Sequence, residues 1–352
     1  MAGDVIICDN LPGYSRVAVV RNHHLDALFI DDDAHHAPRP GAVVAVRVQQ
    51  VFPQHGRVTA ELMGEGVSFR TAHPEKITPG QMIAAKVQAD ARQEAEIKPL
   101  QLKEYGGVQD MPMRSGVITP APDALARARA LLPDADVIAD DEGKAWADHD
   151  IDAAIDSALK ATIPLADGAR LHLNAPPGAV VVDGDSGSSQ AAPQQLAEIM
   201  VEEVMRQLRL RRHGGPIVID FPRLSPQGQK AIHGMMRDAA RLDPAKPALH
   251  GFTRGGLYTM ARPWQLMPLA QELAPSPRRA GLAALRLIRN HGLHHGKAAA
   301  RSALGVRLHP DALKWIEGDG APALHALGLA FSPEFVSDAC VDAPRLDNGA
   351  KR

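Results

Sequence analysis

Two apolar runs that each end in an aspartate constrain this chain more than any other feature: Ala179-Val180-Val181-Val182-Asp183-Gly184-Asp185-Ser186 and Gly214-Gly215-Pro216-Ile217-Val218-Ile219-Asp220-Phe221. Between them lies a helical pattern ending in Arg206-Gln207-Leu208-Arg209-Leu210-Arg211-Arg212. Strand, helix and strand in that order bring both carboxylates to the same edge of one sheet. Hard cations such as Mg2+ take oxygen ligands, usually one or two carboxylates plus substrate phosphate oxygens and water. Convergent Asp183 and Asp220 therefore suit phosphodiester chemistry. An aspartate at a strand end is also a common turn former or helix N-cap, so the pair alone leaves both readings open.

The order of segments around these residues narrows the choice. After the two aspartate runs comes Phe252-Thr253-Arg254-Gly255-Gly256-Leu257-Tyr258-Thr259-Met260-Ala261-Arg262. Over roughly residues 175–265 the chain resembles the catalytic core of the ribonuclease E/G family. That family's pattern runs apolar-Asp-x-Asn-Ser/Thr, a helix ending in RQLRLR, GGxIVIDF, and S-R-x-G-L-x-E-M-S/T-R. The resemblance implies a metal-dependent endoribonuclease acting on single-stranded RNA and leaving 5′-phosphate ends. It implies that Asp183 and Asp220 bind the catalytic Mg2+, for which Mn2+ can substitute, with Asp185 as a third candidate for water or metal. Arg254 is the candidate for steadying phosphate, and Arg209 and Arg211 for contacting RNA.

The resemblance also implies the architecture, an α/β (α+β) chain. Residues 1–35 and 149–175 would form an RNase-H-like lobe, with an OB-fold RNA-binding barrel inserted at 36–104. Residues 105–148 would be a linker or reduced sensor region, 176–272 a DNase-I-like metal-binding lobe, and 273–352 a small helical C-terminal region. The barrel has support of its own: residues 41–52 alternate, and short runs at 67–70 and 83–87 are broken by Gly and Pro. Phe69 sits where the family carries a phenylalanine that stacks on a base, and Lys98 near its basic residue at the barrel's end. Base stacking contributes about 1 to 3 kcal/mol and tolerates any sequence. A barrel-core role for Phe69 is the competing reading.

Composition bounds the rest. At 352 residues and 45% hydrophobic content, the chain can bury two or three modest cores. A net charge of −2 argues against a protein that coats polyanions and requires any RNA-binding charge to be local. The cluster at residues 206–212, with Lys98, Arg237, Arg241, Arg254 and Arg262, could supply it; a solvated helix C-terminus favoured by the dipole is the alternative. Cys8 and Cys340 are too few for a disulfide framework and fit a reducing cytoplasm. No run approaches 18 apolar residues, so neither secretion nor a membrane span is expected. His23-His24, His35-His36 and His294-His295 are adjacent pairs without the i, i+4 spacing of helical metal ligands, and read as solvated.

Four departures from the family pattern matter. Asp185 replaces its metal-site Asn, and a third carboxylate about 4 Å from a phosphate costs up to roughly 4 kcal/mol at an effective dielectric of 20, or about 1 in water. No cysteine occurs at residues 274–279, where the family's Cys-Pro-x-Cys zinc link belongs, so no zinc and no zinc-linked tetramer are expected. Residues 105–148 are too few for a complete 5′-monophosphate sensor domain. Residues 187–192 lack the basic residues that follow the family's Asn. These losses keep open an RNA-binding protein that retains the fold without turnover, acting as a regulator or scaffold.

Overall fold

The computed structural model describes residues 3–108, 110–299, 304–329 and 331–347, with no side chains described at 166, 293–299 and 347. The chain divides into two compact units. One comprises Met1–His36, Asp123–Ala154 and Leu273–Arg352; the other comprises Ala37–Pro122 and Ile155–Glu272.

The second unit holds both the barrel and the aspartates. Strands Val43–Phe52, Arg57–Leu62, Glu65–Arg70, Gln101–Glu104 and Met82–Ala89 pair in that order, and the last closes back onto the first. This closed five-strand barrel is OB-like. Its interior is filled by the inward positions of each strand, among them Val44, Val46, Val58, Ala60, Val67, Phe69, Ala85 and Val87. Strand Gly116–Thr119 adds to the outside of Val43–Phe52, so part of the expected linker belongs to the barrel.

The aspartates lie in a six-stranded sheet with the order Thr162–Pro164, Arg170–Asn174, Val180–Asp185, Gly215–Asp220, Tyr258–Arg262, Ala248–Phe252. The first two strands were expected in the N-terminal lobe. They instead form an antiparallel ribbon that runs straight into the Asp183 strand, because Leu171 and Leu173 need the same apolar cover as Val180 and Val182. That cover comes from one side only. Helix Pro193–Leu210 presents Leu196, Met200, Val204 and Leu208 at i, i+4 spacing, and helix Pro226–Arg241 adds Ile232 and Met236. Each of these side chains stabilises by about 1.5–3 kcal/mol when fully buried. Gln195 Oε1 accepts from the Ala192 amide at 3.2 Å, and Ser225 Oγ from the Gly228 amide at 3.1 Å, which starts the two helices.

In the first unit, strands Asp136–Ala139, Val5–Leu11, Tyr14–Arg21 and His24–Asp32 make a sheet, with helix Ala124–Leu131 packed on it through Ala124 and Ala128. The Asp136–Ala139 strand pairs parallel to Val5–Leu11. The remainder of the expected linker is thus an integral helix and strand. The C-terminal region is not purely helical, since Leu304–Leu308 pairs with Pro333–Ser337 and Arg345–Asp347 beneath helices Pro277–Ala299 and Pro310–Glu317. His294 and His295 fall on that long helix but outside the residues whose side chains are described.

Candidate active site

Alternation along the strands decides which residues face the helices and which do not. Leu171, Leu173, Val180, Val182, Ile217 and Ile219 are buried against the helices, so His172, Asp183, Asp185 and Asp220 take the opposite, uncovered face. Asp183 and Asp220 are register partners across the parallel pair, and both are exposed. Two like charges side by side on neighbouring strands destabilise a sheet unless a cation joins them. His172 partners Asp183 from the other side, and its Nδ1 lies 3.0 Å from Thr162 Oγ1. Thr162, His172, Asp183 and Asp220 therefore form one row across four strands.

Asp185 lies two residues beyond Asp183, on the same face. Its Oδ1 accepts from the Gly187 amide at 2.9 Å, closing the turn that follows the strand. Gly187 has φ +53°, and a Cβ there would lie 2.3 Å from the Gly168 carbonyl oxygen, so the turn packs backbone against backbone. Across the strand pair, Asp185 faces exposed Arg170 in register. Sequence reasoning missed Arg170 and His172; the signal was their period-2 phase relative to Leu171 and Leu173.

Among the described residues, no group of three or more His, Cys, Asp or Glu converges to hold a metal ion. Two neighbouring, exposed carboxylates nonetheless fit Mg2+, which keeps several waters and takes one or two protein ligands. They do not fit zinc, which in structural sites takes four N or S ligands.

The expected RNA-contact residues divide sharply. Arg254 is exposed in the turn between Ala248–Phe252 and Tyr258–Arg262. Lys98 is half-buried on a short ribbon, opposite Arg92. Arg209 is half-buried on its helix. Arg211 is buried: it is 6% exposed, its Nε donates to Gln207 Oε1 at 2.7 Å, and burial pulls its pKa down to about 10. Other members of the expected basic stripe are tied up as well. Arg206 pairs with Glu203 at 2.6 Å, Arg212 with Glu272, and Arg262 with fully buried Asp243 at 2.7 Å. Arg212 just beyond the helix end and Arg262 on strand Tyr258–Arg262 are both buried, where each guanidinium needs a partner.

Phe69 is largely buried too. At 4% exposure its ring packs in the barrel core, with its remaining edge at the floor of a surface depression. Phe52, at 37% exposure, is an aromatic that the barrel offers outward. It partners Arg57, which partners Arg70, giving an aromatic-cationic row across three strands. These residues, with His55, Thr59, Ser68 and the edge of Phe69, line a depression of about 860 Å³.

The fold is thus an α/β chain with an OB-like barrel and paired carboxylates on a sheet face. Residues 127–265 match the model of the Ribonuclease E/G family. Through this stretch the chain is similar to that family. It is 30% identical to ribonuclease E of Escherichia coli (strain K12) over 135 residues, 36% of this chain and 12% of that protein. Ribonuclease E of Haemophilus influenzae is 30% identical over 136 residues, 36% of this chain and 14% of the relative. That of Buchnera aphidicola subsp. Acyrthosiphon pisum is 32% identical over 119 residues, 32% of this chain and 13% of the relative. The matched stretch thus spans about an eighth of each relative's length.

Proposed function

We propose that the open sheet face is the catalytic surface of a Mg2+-dependent endoribonuclease that cuts single-stranded RNA. The observation that carries this reading is the in-register pairing of Asp183 with Asp220 at the ends of two parallel strands. In this reading the two carboxylates hold Mg2+, or Mn2+ in its place, and a metal so held lowers the pKa of bound water and neutralises charge developing on phosphate. Arg254, exposed on the neighbouring hairpin turn, contacts a phosphate of the substrate. The Phe52, Arg57 and Arg70 row grips the strand by stacking and charge, which requires no particular sequence. Attack of water on the phosphodiester leaves a 5′-phosphate and a 3′-hydroxyl. Cys8 and Cys340 are both free, and no helix among the described residues is long and apolar enough to cross a membrane, as suits a cytoplasmic RNA-processing enzyme.

A specific observation favours a second reading, an RNA-binding regulator or scaffold without turnover: Asp185 spends one carboxylate oxygen on its own turn at the position of the family's metal-site Asn.

The deciding experiment incubates the purified chain with an end-labelled single-stranded oligonucleotide in Mg2+ or in EDTA. Cleavage in Mg2+ alone is expected, and Asp183→Asn or Asp220→Asn should abolish it while leaving the melting temperature and most RNA affinity intact, because binding rests on separate cationic contacts. Full activity in either variant would overturn the assignment. RNA binding with no cleavage by the parent chain would select the scaffold.

A further inference from the structure

The uncovered face carries three carboxylates within two strands: Asp183, Asp185 and Asp220. With a divalent cation their net charge is still −1, and a phosphodiester brings another negative charge to the same surface. One cation stands in place to offset it. Arg170 is the antiparallel register partner of Asp185, on the same face and exposed. Directly opposed side chains on an antiparallel pair have Cβ atoms about 4.5–5.5 Å apart, so the two charges are neighbours in register without a direct ion pair between them.

The register that sets this pair is pinned at the strand ends. A Cβ on Gly187 would lie 2.3 Å from the Gly168 carbonyl oxygen, and one on Gly168 would lie 2.2 Å from Ser188 Oγ. The loop before Arg170 and the turn after Asp185 therefore touch, Gly187 against the Gly168 backbone and the Ser188 side chain over Gly168. Asp185 is anchored to that turn through Oδ1, so its second oxygen is the one available to a neighbour.

We propose that Arg170 is a positioning residue of this site, whose charge offsets Asp185 and admits a phosphodiester to the Asp183–Asp220 pair; the inference rests on the nuclease reading above. Counting three carboxylates, one divalent cation and Arg170 brings the surface to zero before RNA arrives. The strand Arg170–Asn174 thus supplies by charge what the replacement of Asn by Asp took away.

The test is a double-mutant cycle of Arg170→Ala and Asp185→Asn, read in two assays. With RNA, Arg170→Ala is expected to raise KM by about fivefold or more at low salt, while the same change in the Asp185→Asn background costs little. Arg170→Lys should keep most of the parent KM, since the role needs charge more than fork geometry. Without RNA, titrating Mn2+ by electron paramagnetic resonance should show Arg170→Ala binding the metal more tightly, because a neighbouring positive charge has gone. A residue with a merely structural role would not tighten metal binding. Equal effects of Arg170→Ala in both backgrounds, or Mn2+ affinity unchanged or weakened, would overturn the role of Arg170 while the parent chain still cleaves. A parent chain that neither binds Mn2+ nor cleaves RNA would overturn the nuclease reading and this inference with it.

Discussion

Arg211 and Arg254 look alike in the sequence, each a cation beside a recognisable motif, yet one is interior and the other exposed. The difference follows from the partner each finds. Arg211 caps Gln207 inside the helix end, and its neighbour His213 shares that interior. Burial, then the charges of Arg211 and Arg262, push the His213 pKa down to about 4 from 6.5. The imidazole is therefore neutral in the folded protein at pH values where the unfolded chain would protonate it. Because the folded pKa is depressed, the unfolded state binds more protons between pH 6.5 and 4, so stability is fully present above about pH 6.5 and falls as pH drops through this window. Urea denaturation of the parent and of His213→Gln from pH 7 to pH 4 should show a steeper loss in the parent. Parallel curves would mean that His213 is not held neutral.

At the scale of elements, Phe52 lies more exposed on the barrel than Phe69, the aromatic that its motif position suggests. Strand Glu65–Arg70 alternates so that Val67 and Phe69 point inward, while Ser68 and Arg70 point outward. Arg70 then aligns with Arg57 and Phe52 on the outer surface. Phe52→Ala should weaken binding of single-stranded RNA by about 1–3 kcal/mol with an unchanged salt slope. Arg57→Gln or Arg70→Gln should each reduce the slope of log K against log salt by about 0.7, the single-strand value for one lost phosphate contact. Fluorescence anisotropy across a salt series separates these outcomes. Phe69→Ala, in contrast, should lower barrel stability, since it empties core volume.

For the whole molecule, the described stretches of residues 105–148 are divided between two sheets. Part pairs with the barrel as strand Gly116–Thr119, and part joins the N-terminal sheet as helix Ala124–Leu131 and strand Asp136–Ala139. Recognition of a 5′-monophosphate needs several convergent, charge-assisted donors in one pocket. Initial cleavage rates on otherwise identical 5′-hydroxyl and 5′-monophosphate oligonucleotides should therefore differ by less than about tenfold, or about 1.4 kcal/mol. A larger preference would place a sensing pocket elsewhere in the fold.

The sequence by itself determined the features that depend on neighbours along the chain. The strand, helix and strand around Asp183 and Asp220, the exposed turn holding Arg254 and the short-strand barrel all follow from local periodicity and turn chemistry. Only the tertiary structure decided what depends on distant neighbours. Periodicity shows that an element has two faces, but not what covers each one. It could not reveal that strands Thr162–Pro164 and Arg170–Asn174 join the aspartate sheet, that Glu272 and Asp243 draw Arg212 and Arg262 inward, or that Phe69 is core while Phe52 is not. The same holds for Arg170 opposite Asp185, since register between strands is set by the packing of their apolar faces and by the turns at their ends.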